Sequence, residues 1–198
     1  MPTEPYEGHD ALIAFDKVIE ITLERYKIGA ENASIGPQSD MQAMAGRLIP
    51  QITSLAFAIR FLIRDGFLFP ANVLIRPLTE RVTILMYLDK YPEDIEVWKR
   101  GWKFGEAPSL SRMFDKLKEG NSSDSNFPGW KMTADLNDLV HGKPDAAFWN
   151  RTKGGYLPST ISDNPELCGL VCKQAAHFLA ATALIIGKYF PSEPSRHP

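Results

Sequence analysis

Apolar residues recur along this chain at intervals of three and four, the spacing of helices that each hide one face. From His9 to about Ser34 the stripe is Leu12, Phe15, Val18, Ile19, Leu23, Tyr26 and Ile28, with Glu20 and Glu24 on the outer side. Ser34-Ile35-Gly36-Pro37 ends it, because glycine and proline together stop helices. A second helix is expected from about Ser39, which can cap it, to Asp65, with Met44, Leu48, Ile52, Leu55, Ile59 and Leu62 inward. Pro50 should bend it, and Asp65-Gly66 closes it. The third helix begins near Pro70 and is apolar around most of its girth, through Val73, Leu74, Ile75, Leu78, Val82, Ile84, Leu85, Met86 and Leu88. A helix of that kind is central to its domain. One narrow stripe on it is polar: Arg76, Glu80, Thr83 and Tyr87, which helical spacing stacks on a single face beside the expected kink at Pro77.

Shorter helices follow from Tyr91 to about Phe104, from Ala107 to about Gly120 and from Gly129 to His141. Trp98 and Trp102 lie one turn apart in the first of these and read as core or dimer contacts more readily than as a base-stacking platform. Gly120 to Pro128 is a polar loop, Gly142-Lys143-Pro144 is a helix stop, and Asp145 to Asp163 is irregular. The last helix, Pro165 to Tyr189, is rich in alanine and apolar residues. No strand alternation is present. The expected fold is all-α: a bundle of four long helices plus short ones, forming a single domain over 9–190 with loose tails at 1–8 and 191–198.

Composition narrows the function only by exclusion. The 198 residues suffice for one sizeable core, and 44% hydrophobic with 23% charged residues is ordinary for a globular protein. A net charge of -2 exerts no global pull toward nucleic acid or an anionic membrane. Leu48 to Ile63 is interrupted by Pro50, Gln51, Thr53, Ser54 and Arg60, so no membrane span is expected. No basic and then apolar leader opens the chain, and the expected location is the cytoplasm. Cys168 and Cys172 sit four apart in a helical segment, a spacing poorly suited to a disulfide in a regular helix, and read as reduced, buried thiols. Neither a metal site nor a cofactor is expected, and the Walker, dinucleotide, nucleophile-elbow and zincin motifs are absent. Arg60 and Arg64, one turn apart, read as a solvated face.

The sharpest local pattern is Leu136-Asn137-Asp138-Leu139-Val140-His141. Leu136, Leu139 and Val140, with Met132, make a core-facing stripe. Asn137 and His141 are one turn apart at its edge, where a histidine can hydrogen-bond and titrate. A polar residue, three residues and a histidine late in a small all-α bundle resemble the HEPN superfamily, as does the Arg-x3-Glu of Arg76 and Glu80 on a central helix followed by Leu139-Val140-His141-Gly142. The resemblance extends over about Ala45 to Tyr189. Many members of that superfamily are metal-independent ribonucleases, with a motif arginine that stabilises phosphate charge and a histidine that moves a proton. Leu136 occupies the place of that arginine here, and Arg76 is the candidate to replace it in space, since a guanidinium grips phosphate in bidentate fashion.

The resemblance implies an RNA- or nucleotide-directed domain in a toxin or defence setting. Its catalytic pair would be His141 and Arg76, and its binding residues Glu80, Asn137, Thr83 and Tyr87. The alternatives are a non-catalytic dimeric module that binds a protein partner, or a small-ligand sensor lined by the same stripe. A homo-oligomer is expected in each case. Structural roles compete for the same residues: His141 can serve the last carbonyls of its helix, and Arg76 with Glu80 can be an ion pair that satisfies a buried face.

Overall fold

Ser39 starts the second long helix with its own side chain. Its hydroxyl accepts from the Gln42 N–H at 3.2 Å while the Gln42 side chain accepts from the Ser39 N–H at 2.9 Å, a reciprocal capping box. Asn164 caps the last helix one way only, its side-chain oxygen accepting from the Glu166 and Leu167 N–H groups, and Pro165 takes the first turn. The computed structural model describes residues 4–33, 37–103, 105–119, 135–138, 140–141 and 161–191. Within them lie α1 (Asp10–Ala33), α2 (Asp40–Arg64), α3 (Leu68–Lys90), a 3-10 turn (Pro92–Asp94), α4 (Ile95–Lys99), α5 (Leu110–Lys118), the helical residues 135–138 and 140 (α6), and α7 (Pro165–Tyr189). All four long helices are present, and no strand occurs among the described residues. The loop 120–128, the stop 142–144, the connection 145–160 and the tail beyond Pro191 lie outside the described residues.

Contacts between the helices fix their directions. α1 and α7 run parallel in constant register: His9 lies beside Gly169, Arg25 beside Gly187 and Phe190 against Gly29. α3 also runs with α7, because Asp89 near its end accepts from Lys188 Nζ at 2.6 Å and from the Tyr189 hydroxyl. α2 runs against them, with Gln42 at its start donating to the Tyr189 carbonyl at 2.9 Å. The α1–α7 contact is the most extensive, followed by α2–α3 and α3–α7. Phe15, Ile52, Ile59, Ile75, Leu78 and Phe178 are fully buried where the four meet. α2 and α7 are long and apolar enough to cross a membrane by length and composition, but more than half of that stretch of α7 is buried in the bundle.

Two glycines are required by geometry. A Cβ on Gly29 would sit 2.2 Å from the Cβ of Phe190, so only a hydrogen lets α1 approach the end of α7 this closely. Gly66 turns the chain from α2 into α3 at φ +81°, and its carbonyl accepts from the Ser162 N–H at 2.9 Å.

Several sequence expectations need correction. Residues 4–8 are not loose: Tyr6 is 4% exposed and its hydroxyl donates to the Ser162 carbonyl. Arg60 is not on a solvated face. Its guanidinium pairs with Glu4 at 2.6 Å and with Asp16 at 2.5 Å, clamping the first residues to α1 and α2. Burial pulls the Arg60 pKa down, but the hydrogen bonds to Asp16 and Glu4 outweigh it and push it up. α3 starts at Leu68, before Pro70, and the helix expected from Tyr91 to Phe104 shrinks to the 3-10 turn and α4. Trp98 and Trp102 pack against the core. Val140 is exposed, so the inward stripe of α6 is carried among the described residues by Leu136.

Candidate functional site

α3 carries its polar stripe into the bundle. Asn72, Arg76, Thr79 and Thr83 are spaced i, i+4, i+7 and i+11, which keeps them within about 60° of one another around the axis. Asn72, Thr79 and Thr83 are buried, at 3%, 0% and 0% exposure. Asn72 Oδ1, Thr79 Oγ1, Thr83 Oγ1 and Arg76 Nη1 are each shut from solvent without a hydrogen-bond partner. Burial alone does not explain this. Thr22 and Thr182 are equally buried, yet their hydroxyls bond the Val18 and Phe178 carbonyls at 2.6 and 3.1 Å. Buried polar groups are nearly always paired, which sets this helix face apart.

Gln174 on α7 adds a fifth, since its Oε1 is also buried and unpartnered. α3 and α7 are parallel with a register offset of 99–100 residues at Asp89, Lys188 and Tyr189, which sets Gln174 level with the stretch between Asn72 and Arg76. Asn72, Thr79 and Gln174 did not stand out in the sequence as site residues. The signal was there for the first two: counting i, i+4, i+7, i+11 from Asn72 instead of Arg76 gives the orphaned set. Nothing local marks Gln174, because its place depends on how α7 lies against α3.

The outer edge of the stripe meets α6. Arg76 Nε donates to Asn137 Oδ1 at 2.8 Å, across 61 residues of chain, and this bond holds the two candidate elements together. Arg76 Nη1 stands 3.0 Å from Glu80 Oε1, an i,i+4 ion pair. The Glu80 side chain is 45% exposed, and a pair of that kind contributes less than about 1 kcal/mol. The guanidinium is thus aimed by Asn137 and only partly neutralised by Glu80.

His141 is exposed, and its N–H bonds the Asn137 carbonyl at 2.9 Å. It stands one helical turn beyond Asn137, with the two Cβ atoms about 5–6 Å apart by helix geometry. Leu136 is 3% exposed and belongs to the core.

Tyr87 continues the stripe one turn beyond Thr83. Its hydroxyl donates to Asp94 Oδ2 at 2.5 Å and accepts from Lys116 Nζ at 3.3 Å, and that ammonium also lies over the Tyr87 and Tyr91 rings. Burial first, then the bond to Asp94, pushes the Tyr87 pKa up and keeps the phenol protonated. This cluster pins α5 and the 3-10 turn to the end of α3. Among the described residues no cluster of three or more His, Cys, Asp or Glu side chains is arranged to hold a metal ion. Comparison with models of known families, with characterised proteins and with solved structures finds no match to this chain.

Proposed function

We propose that this chain is a HEPN-like helical domain that binds a nucleotide, or the ribose-phosphate unit of RNA, where α3 meets α6. The observation that carries the reading is the Arg76–Asn137 bond beside a run of buried, unpartnered polar atoms. A guanidinium suits a phosphate oxygen, and hydroxyl and amide groups without partners suit a ligand rich in hydroxyls. Arg76 holds the phosphate; Asn137 fixes the plane of the guanidinium; Asn72, Thr79 and Thr83 receive the polar remainder. Cleavage requires one step more, with His141 taking a proton from a ribose hydroxyl or returning one to the leaving oxygen. Leu136 in the place of the motif arginine favours binding without turnover.

Calorimetry and thermal shift with adenosine and guanosine nucleotides, a short RNA and inorganic phosphate test the reading. Binding of a nucleotide or RNA that weakens at least tenfold in Arg76→Lys and Asn137→Ala supports it, and no binding at millimolar concentration sinks it. EDTA-resistant RNA cleavage that vanishes in His141→Ala would add the catalytic step. A second reading, a dimeric interaction module, is favoured by a different observation. Phe57 and Phe61 are exposed at 36% and 53% on α2 with their rings stacked, and Leu184 is exposed at 72% on α7. Light scattering at high micromolar concentration decides it, since a monomer of 22.2 kDa would count against it.

A further inference from the structure

A second chemical group lies at the other face of α7, unrelated to the α3–α6 site. Cys168 and Cys172 are both fully buried, and their Sγ atoms are 3.9 Å apart. Four groups have electrostatic contact with the pair: the Arg60 guanidinium, its partners Glu4 and Asp16, and the phenol of Tyr6. Three structural segments converge there. Gly66 at the end of α2 and Tyr6 both bond Ser162, just before α7, and the ring of His9 lies 3.2 Å from where a Cβ on Gly169 would be.

We propose that Cys168 and Cys172 form a masked dithiol, open to oxidation by a small-molecule disulfide, and that the segment Glu4–Gly8 is the cover that controls access to it. The two sulfurs are in hydrogen-bond contact and either can donate to the other. The nearby Arg60 guanidinium favours a thiolate at both. With Cys168 as the attacking thiolate, Cys172 is the resolving thiol. In the first step Cys168 Sγ bonds one sulfur of the small disulfide, the S–S bond breaks, and one thiolate leaves. In the second step Cys172 gives up its proton and attacks Cys168 Sγ, forming the internal disulfide and expelling the second thiolate. The two protein thiols lose two electrons, and the small disulfide gains them.

Helix geometry says what this demands of the fold. Residues four apart in a regular helix have Cα atoms about 6.2 Å apart, inside the range of a disulfide. Their Cβ atoms are about 5–6 Å apart, against the 3.5–4.5 Å a disulfide needs. Closure therefore loosens the start of α7, where Ser162 holds Tyr6 and Gly66. Tyr6 and the Glu4–Arg60 pair keep that region shut and the thiols out of reach of oxidant.

The test uses the aromatic disulfide 5,5′-dithiobis(2-nitrobenzoate) on the full chain, with released thionitrobenzoate read by absorbance and the product by mass. In wild type the reaction should be slow, release two equivalents per chain, and leave a protein lighter by two hydrogen atoms with no adduct. Cys172→Ala should stop at a single stable mixed disulfide on Cys168. Tyr6→Ala and Glu4→Gln should each speed labelling by about tenfold, by raising the population of the opened segment. Glu4→Gln removes only a partly exposed carboxylate, so it tests the cover even where Tyr6→Ala fails to fold. Stable adducts on both cysteines of the wild type would overturn the dithiol pairing. Unchanged labelling in a folded Glu4→Gln variant would overturn the cover.

Discussion

Replacing Thr79 by valine should make the unliganded protein more stable and the liganded one weaker. The two side chains have nearly the same shape and share β-branching, so neither helix propensity nor rotamer freedom changes much. What changes is a hydroxyl that is 0% exposed and has no hydrogen-bond partner. An unsatisfied buried hydroxyl costs about 1–3 kcal/mol, and the methyl that replaces it removes that cost while keeping the volume. A gain of roughly 1–2 kcal/mol follows, which for a chain of this size is a rise of roughly 2–8 °C in Tm. Urea denaturation measures it directly: the midpoint should move up while the slope stays the same, because the surface exposed on unfolding is unchanged. Thr83→Val should behave likewise, and the two should not add fully, since one turn of helix separates them. Thr22→Val is the control. Its hydroxyl already bonds the Val18 carbonyl, so no comparable gain is expected. A loss of more than about 1 kcal/mol in Thr79→Val would show that the hydroxyl is held in the resting protein by a partner such as an ordered water, and the missing-ligand argument for this stripe would fail.

Asn137→Ala should weaken nucleotide binding at least tenfold while costing only about 1 kcal/mol of stability, because it removes one half-buried hydrogen bond; calorimetry and urea titration on the same sample separate the two effects. Gly29→Ala should destabilise by about 3 kcal/mol or more, since the new Cβ would meet Phe190 at 2.2 Å and the backbone of α1 must shift; a Tm within a degree of wild type would refute the close approach. Burial raises the Tyr6 pKa from 10.0 to about 12. The folded state therefore favours the protonated phenol, a contribution complete below pH 10 and lost as the pH climbs through 12, worth roughly 3 kcal/mol at most. The stability gap between wild type and Tyr6→Phe should accordingly narrow between those two pH values, and a constant gap would refute the assignment.

How far the sequence disclosed all this depended on whether the deciding interaction was local. The start of α2 was legible from Ser39, and the whole of α7 from Pro165 to Tyr189, because caps, proline and apolar period act within a few residues. The kinship of Arg76 and Asn137 was legible only as two suspicious pairs on separate helices; that they meet is a fact of packing across 61 positions. The partners of Tyr87 were illegible for the same reason, Asp94 and Lys116 coming from elements whose arrangement no periodicity encodes. Tyr6 was missed because one aromatic ring in a short segment with prolines has no period to betray it, and only its contact with Ser162, 156 residues away, buries it.

The parallel pairing of α1 with α7 also sets a clock. Phe15 and Ile19 leave the ribosome well before the surface of α7 that α1 packs against, which lies some 150 residues further on; Tyr6 and Ser162 mark the separation at 156 residues. At about 5–20 residues per second, translation takes roughly ten to thirty seconds to supply that partner. Through that interval the face of α1 that packs on α7 lacks its native cover, and only α2 can pair with α1. The same long separation gives the largest helix contact a high contact order, which slows its formation even in refolding from denaturant. Moving the α7 segment ahead of α1 by circular permutation would bring the two partners together at the start of synthesis and remove the wait.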